Sequence, residues 1–137
     1  MRVATAAFLI AAMLQSVSAF AAEDNKVNVE LNALESAEDA CKTTFVVHNK
    51  AEAGVDSLKL DLVMFRKDGS IERRFVPELG PVRADKTIVR TFTLKGLCSG
   101  VTQVLLNDVS ACSPAKPTEC LDSVSLTSRV EGIRFYK

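Results

Sequence analysis

The sequence has none of the motifs from which most catalytic and metal sites are built. It contains a single histidine, His48, whose neighbours Val47 and Asn49 form no set with which it could act as a general base or metal ligand. No Gly-x-Ser-x-Gly element, no Cys-x-x-Cys pair and no acidic calcium-binding loop occurs. We therefore expect a protein that is not an enzyme, with no catalytic residue, no bound metal and no cofactor.

The chain also lacks an excess of either charge. It has 17 Lys and Arg residues against 17 Asp and Glu residues, and without Arg2 of the N-terminal segment the net charge is −1. No strong positive field is present to attract nucleic acid or an anionic membrane. We therefore do not expect nucleic-acid binding.

The first residues have the pattern of an export signal. Arg2 gives a positive start, residues 3–14 form an apolar run, and Ala19-Phe20-Ala21 is a small-x-small cleavage signal. The run is shorter than the roughly 20 residues that a membrane-spanning helix needs, which disfavours the alternative of an N-terminal membrane anchor. We predict a signal peptide over residues 1–22 and one domain over residues 23–137, periplasmic or secreted, with no membrane insertion after cleavage.

Four cysteines lie in the predicted mature chain: Cys41, Cys98, Cys112 and Cys120. An even number in an exported protein, without metal-ligand spacing, predicts two disulfides, for which three connectivities exist. We favour Cys112–Cys120, because the intervening SPAKPTE holds two prolines and suits a short loop, and this choice leaves Cys41–Cys98. The longer bridge would close a loop of about 58 residues and contribute about 3–4 kcal/mol on the chain-entropy model.

Residues 57–80 show the clearest strand pattern. Four apolar residues alternate with a second set, as in a strand with one buried face: Leu58, Leu60, Leu62 and Met64 against Lys59, Asp61, Val63 and Phe65. Asp68-Gly69 then supplies a pair that accepts positive φ, and a second alternating run extends to Phe75. The pattern predicts a β-hairpin that faces solvent at its start and is covered, by chain or by partner, near the turn.

Alternation predicts further strands over residues 26–34, 41–49, 86–94, 101–112 and 130–136. The acidic residues 35–40 are expected to form a solvated loop, and residues 121–128 a short strand or an irregular crossing. His48 is predicted to point outward from its strand.

Two of these strands carry polar residues that interrupt an apolar pattern. Arg90 shares a face with Ile88 and Phe92, which indicates either a bulge, the favoured interpretation, or a side chain that reaches past the edge of the core. The strand over residues 101–112 is apolar on both faces at its middle and is expected to be central in its sheet. Within it, Asn107-Asp108 is interpreted as a bulge or strand-end pair, with a ligand-facing polar pair as the alternative.

Seven or eight short strands at intervals of about 8–15 residues predict an all-β fold. The expected architecture is a two-sheet β-sandwich of immunoglobulin-like type, with a small barrel as the alternative. Because the sequence has no tryptophan, the buried tryptophan of antibody domains is missing, and the likeness is to the wider sandwich class.

Several segments resemble those of known exported proteins: FVVHN (residues 45–49), LKLDLVMFRKDG (58–69), LGPV (79–82) and LLNDVSAC (105–112). They are similar to a group of short exported proteobacterial proteins of unknown function, some labelled only by their signal sequence. The middle third also resembles the secreted immunoglobulin-like modules called FxLYD and CARDB, although its link LGPVRADK lacks the glycine expected before the fifth strand. The resemblance implies the sandwich fold and brings no catalytic residues with it.

The most concentrated charge feature is the basic set at the hairpin tip: Arg66, Lys67, Arg73 and Arg74. With Val63 and Phe65 it forms an apolar patch rimmed by charge, which is typical of a recognition surface. Two plainer explanations stay open. The charges could blunt a solvated edge strand, or residues 121–128 of the chain itself could cover the patch.

These patterns favour an exported accessory or adaptor domain that acts by binding a protein partner, whose identity the sequence does not reveal. The first alternative is a redox protein that uses the cysteines. The second is a small-ligand carrier, which would need a cavity between the sheets.

Overall fold

The computed structural model describes residues 26–137, and the predicted signal peptide over residues 1–22 lies outside the described residues. The described chain forms eight strands and one short helix: β1 (Val27–Ala37), β2 (Ala40–Asn49), β3 (Ser57–Arg66), β4 (Ile71–Phe75), β5 (Lys86–Lys95), β6 (Val101–Ser113), α1 (Pro117–Ser123), β7 (Val124–Ser128) and β8 (Arg134–Tyr136). No helix within this part of the chain has the length and apolar character that crossing a bilayer requires.

The strands form two sheets of four strands each. The first sheet has the order β5-β2-β1-β7 and the second has the order β4-β3-β6-β8. Neighbours pair antiparallel, except that β7 joins β1 and β8 joins β6 in parallel. This arrangement confirms the predicted all-β two-sheet sandwich and excludes the small barrel.

The core lies between the sheets and is built from the inward half of each alternating strand. Val29 and Leu31 of β1 are fully buried, as are Phe45 and Val47 of β2. The centre of the Phe45 ring lies 6.1 Å from the centres of the Phe92 and Phe135 rings, so one aromatic cluster joins β2, β5 and β8. The period of two therefore identified the buried face of these strands correctly.

The prediction of a solvated loop over residues 35–40 was wrong. β1 continues to Ala37, and only Glu38 and Asp39 form the turn before β2 begins at Ala40. Glu38 adopts φ 55°, a left-handed conformation that side chains rarely take. Glu35 and Ser36 concealed the end of the strand, because their side chains face solvent while their backbone pairs with β2.

The favoured bulge at Arg90 was also wrong. β5 pairs with β2 over ten consecutive residues without a register shift. Arg90 instead points inward, opposite Phe45, and its guanidinium lies 3.4 Å from the carbonyl oxygens of Leu79 and Gly80. The alternative was therefore correct, because a long side chain can bury its stem and place its charged end on backbone acceptors.

The bulge in β6 is confirmed. Asp61 pairs with Asp108 and Leu62 pairs with Leu106, so Asn107 is the extra residue. The bulge returns Val109 to the core, where it is 2% exposed. β6 lies between β3 and β8, as its two-sided apolar middle indicated.

The C-terminal part of the chain departs most from the predictions. Helix α1 (Pro117–Ser123) was not predicted, because seven residues are too few to show a helical period. Residues 121–128 form the end of this helix and then β7, and the final strand is confined to Arg134–Tyr136.

Both predicted disulfides are confirmed. Cys41–Cys98 joins the start of β2 to the β5–β6 turn, and Cys112–Cys120 joins the end of β6 to α1. No cysteine within residues 26–137 is free. Two structural disulfides indicate a chain that folds in an oxidising, non-cytoplasmic environment.

Candidate functional site

The outer face of the second sheet brings together three of the six predicted binding residues, Val63, Phe65 and Arg74. Strand register aligns Arg74, Val63, Leu105 and Tyr136 in one row across all four strands. Phe65, Gln103 and Arg134 form the next row. Because side chains opposite each other in a sheet share a face, these two rows form a continuous outward surface.

The centre of this face is apolar and almost inaccessible to solvent. Val63 is only 6% exposed, while Phe65 and Leu105 are half-buried. Val63 lies between Arg74 of β4 and Leu105 of β6, which flank it in the sheet. Of the residues 121–128 that were considered as a cover for this patch, Val124–Ser128 do not cover it, because they form β7, which lies in the other sheet beside β1.

A buried carboxylate lies beside the apolar centre. Asp61 is 4% exposed although it points away from the core. Arg74 donates from Nε to Asp61 Oδ1 at 2.7 Å and from Nη2 to Oδ2 at 2.5 Å, and Asn107 donates to Oδ2 at 2.7 Å. The guanidinium of Arg74 lowers the pKa of Asp61 below its usual range, an effect that burial opposes and the Asn107 amide assists. The carboxylate thereby fixes Arg74, whose side chain remains 63% exposed.

A second fixed cation lies at the opposite margin of the face. The Arg134 guanidinium carbon lies 4.0 Å from the centre of the Tyr136 ring, within cation–π range. Arg134 Nη2 and the Tyr136 hydroxyl each donate to Gln103 Oε1 at 3.2 Å. Gln103 therefore orients the side chains of Arg134 and Tyr136, and Arg134 stays exposed.

The remaining basic residues of the predicted surface have separate positions. Arg66 is exposed and pairs with Glu72 across the hairpin, and Lys67 is exposed at the turn. Arg73 points toward the inside of the sandwich edge, opposite Met64, with its side chain only 13% exposed. The hairpin tip is therefore not one cluster of four solvent-facing cations.

Arg73 connects the two sheets. Its guanidinium donates to the carbonyl oxygens of Lys95 at 2.7 Å, Gly96 at 3.4 Å and Leu97 at 2.9 Å. These carbonyls belong to the end of β5 and the turn that carries Cys98. The side chain is therefore committed to contacts within the chain and is poorly placed to contact a partner.

A small cavity occupies the end of the sandwich near the Cys112–Cys120 disulfide. Its volume is about 180 Å³, and Val27, Ala53 and Val55 contribute to its walls. Buried Asn49 fixes one wall, because its amide donates to the Ala53 carbonyl at 2.9 Å and its oxygen accepts from the Ala51 N–H at 3.0 Å. The volume is below the roughly 300 Å³ at which ordinary ligand pockets begin, so the cavity gives the carrier hypothesis little support.

His48 lies on the outer face of the first sheet and is half-buried. Its Nδ1 lies 2.7 Å from the Thr87 hydroxyl. Within residues 26–137 no group of three or more His, Cys, Asp or Glu side chains is arranged to hold a metal ion.

Comparison with known proteins assigns no family, because no family model, no curated protein and no solved structure matches the chain.

Sequence reasoning did not bring five residues into the site: Asp61, Gln103, Asn107, Arg134 and Tyr136. Two signals were present, namely an aspartate between leucines in β3 and an asparagine at an expected bulge in β6. Asp61 and Asn107 come together only because β3 pairs with β6. Arg134 and Tyr136 join the face only because β8 pairs with β6 in parallel.

Proposed function

We propose that this chain is a periplasmic or secreted adaptor domain that binds a protein partner through the outer face of the second sheet and performs no catalysis. The observation that carries the proposal is the row formed by Arg74, Val63, Leu105 and Tyr136 across the sheet. This row places a nearly dry apolar centre between an exposed arginine and the single tyrosine of the chain.

The composition of the face supports binding to protein. The centres of protein interfaces are enriched in aromatic residues and arginine, and their energy is concentrated in a few packed side chains surrounded by a polar rim. Here Phe65 and Tyr136 are the half-buried aromatic residues, and Arg74 and Arg134 are held in place by Asp61 and Gln103. Preorganised side chains lose less conformational entropy when a partner binds.

The charges indicate the chemistry of the partner. Arg74 and Arg66 are each paired with a carboxylate, whereas Lys67 and Arg134 form no ion pair with another residue in the described range. A partner segment that places an apolar side chain over Val63 and Leu105, with a carboxylate toward Arg134, would complement the face.

The direct test compares partner capture by matched variants of the exported protein. Phe65→Ser and Arg134→Glu should each abolish capture of the same partner from the native compartment. Neither side chain is fully buried, so the thermal midpoint should change by only a few degrees. Quantitative mass spectrometry of the captured proteins, with a melting curve for each variant, measures both effects.

Val46→Ser is the matched control, because Val46 is a half-buried aliphatic residue on the outer face of the first sheet. It should capture the partner as the wild type does. If Phe65→Ser and Arg134→Glu retain the partner, or if Val46→Ser loses it equally, the outer face of the second sheet is not the binding surface.

A further inference from the structure

The four edge strands of the sandwich differ in how far they are protected from pairing with another chain. β4 and β7 have five residues each, β8 has three, and the β3–β4 pairing contains a register shift. β5 has ten residues and pairs with β2 over all ten without a shift. It contains no proline or bulge, two of the devices that commonly blunt an edge.

The outward backbone groups of β5 can be assigned from its pairing with β2. Gly96, directly after the strand, donates its N–H to the Asp39 carbonyl at 2.6 Å. Because antiparallel bonding alternates along a strand, the even-numbered residues of β5 bond to β2. The N–H and C=O groups of Thr87, Val89, Thr91 and Thr93 therefore face the open edge, with no strand beside them in residues 26–137.

The side chains of β5 are compatible with pairing between two copies in one register. A two-fold axis at Thr91 places Thr91 opposite its own copy, Ile88 opposite Leu94 and Arg90 opposite Phe92. The pairing keeps inward side chains on the inner face and places no like charges directly opposite each other, and the two Arg90 side chains are diagonal neighbours. Shifting the axis to Arg90 would instead place two arginines face to face.

The neighbouring side chains leave this edge accessible. Arg90 does not extend along the open edge, because its guanidinium is directed to Leu79 and Gly80 of its own chain. Val89 is 60% exposed on the outer face of the strand. In the paired form Val89 would lie opposite Thr93 of the second copy, and both β-branched side chains favour a strand.

We propose that β5 is a self-association strand, at which two copies of this chain pair antiparallel about Thr91 and join their first sheets into one continuous sheet. The occupant of the edge is a second copy, since the same strand supplies both the outward backbone groups and the complementary side chains. The contact is isologous and closed by its two-fold axis, so it yields a dimer and not a fibre. A single strand pair is a small interface, so the dimer forms and dissociates reversibly with protein concentration.

The test uses opposite charges at the two-fold axis. The protein is expressed with its own leader and purified after export, and its mass is followed by analytical ultracentrifugation over a concentration series. Wild type should shift from monomer to dimer as concentration rises. Thr91→Lys and Thr91→Glu should each remain monomeric where the wild type is dimeric, because each places like charges opposite each other.

Mixing the two variants distinguishes pairing at Thr91 from general damage to the strand. A mixture of Thr91→Lys and Thr91→Glu should regain the dimer, because the two chains then oppose unlike charges in this register. A wild type that is monomeric throughout, a dimer that persists in the single variants, or a mixture that stays monomeric would overturn the proposal. A second variant, Val89→Pro, should abolish the dimer while keeping the β2 pairing, whereas Val89→Thr should retain the dimer.

This result is independent of partner capture at the second sheet. The proposed self-association strand is in the first sheet, and the readout is the mass of the purified chain alone. Failure of one proposal therefore leaves the other standing.

Discussion

The two sheets have the same number of strands, yet their outer faces satisfy polar groups in different ways. On the first sheet, polar side chains pair with cross-strand neighbours: Thr44 with Thr91 at 3.0 Å, His48 with Thr87 at 2.7 Å and Asn28 with Ser125 at 3.1 Å. On the second sheet, Asp61 is buried beside nearly dry Val63. The outer face of the first sheet therefore carries exposed or partly exposed polar pairs, whereas part of the outer face of the second sheet is buried.

This difference changes what a single substitution is expected to do. Removing one member of an exposed pair lets water replace it, and little stability is lost. When a buried charged group is removed, water replaces the hydrogen bonds that its partner loses less completely. More stability is therefore lost. Two carboxylate–arginine pairs, one on each face, allow the comparison to be measured within the same protein.

The largest effect is expected from Asp61→Ala when compared with Glu30→Ala. The Asp61 side chain is 5% exposed and bonds Arg74 and Asn107, so its loss should reduce the free energy of unfolding by about 1.5–3 kcal/mol, the usual range for hydrogen bonds to a charged group. Glu30 is 20% exposed and pairs with Arg129, whose side chain is 70% exposed. Its loss should reduce that free energy by at most about 1 kcal/mol.

Urea denaturation of both variants under identical conditions measures this difference. Equal losses would show that the outer face of the second sheet is no drier than that of the first. The fold would then be the same, but the proposed binding surface would lose the physical feature that distinguishes it.

A smaller effect is expected in acid. The Arg74 guanidinium lowers the pKa of Asp61 below its ordinary value of 3.8 in the folded chain. A group with a lowered folded pKa stabilises the fold above its unfolded pKa, and this contribution is lost as the pH falls through the folded pKa. The stability of Asp61→Asn should therefore fall less steeply than that of wild type below about pH 4.

Glu30→Gln is the control for the acid measurement. The pKa of Glu30 is also lowered, chiefly by the Arg129 guanidinium, but the pair is more exposed. Glu30→Gln should therefore reduce the loss of stability below about pH 4 by less than Asp61→Asn does. If the stability of Asp61→Asn fell as steeply below about pH 4 as that of wild type, the Asp61 carboxyl would have the same pKa in the folded and unfolded chain.

The sequence was sufficient to predict the features that depend on local pattern. The period of two placed Leu58, Leu60 and Leu62 in the core, and the proline-containing spacer indicated the Cys112–Cys120 bridge. Both features are encoded in neighbouring residues. The two-sheet architecture followed from the number and spacing of the strands.

Features that depend on distant neighbours could not be predicted in this way. The polar side chains of Glu35 and Ser36 do not reveal that the backbone there is paired with β2. Arg90 looked like a break in the alternation of the strand, because the carbonyl oxygens that accept hydrogen bonds from its guanidinium belong to another segment of the chain. The candidate site depends on strand register, since Asp61, Arg74 and Asn107 are contributed by three strands.

The next largest loss of stability is expected from a substitution in the β3–β4 turn of the second sheet. Gly69 adopts φ 84°, and a Cβ added there would meet no atom within 4 Å outside its immediate neighbours. The loss in Gly69→Val is therefore a backbone effect of roughly 1–2 kcal/mol. Gly69→Asn is the control and should lose less, because asparagine tolerates positive φ better than valine does. An unchanged thermal midpoint in Gly69→Val would mean that the turn adopts another conformation in solution.

The smallest effect, and the only gain, is expected at the β1–β2 turn in the first sheet. Glu38 adopts φ 55° with an exposed side chain, whereas Asp39 beside it does not have positive φ. Glu38→Gly removes the left-handed strain, partly offset by the greater entropy of glycine in the unfolded chain, and should stabilise the fold by about 0.5 kcal/mol. Asp39→Gly relieves no strain and should destabilise it by about the same amount. Glu38→Gln separates the effect of charge, since it keeps the strain and should leave the midpoint near that of wild type. Thermal unfolding of the three variants therefore tests the backbone conformation directly, and a loss of stability in Glu38→Gly equal to that in Asp39→Gly would show that the turn of the first sheet carries no left-handed strain.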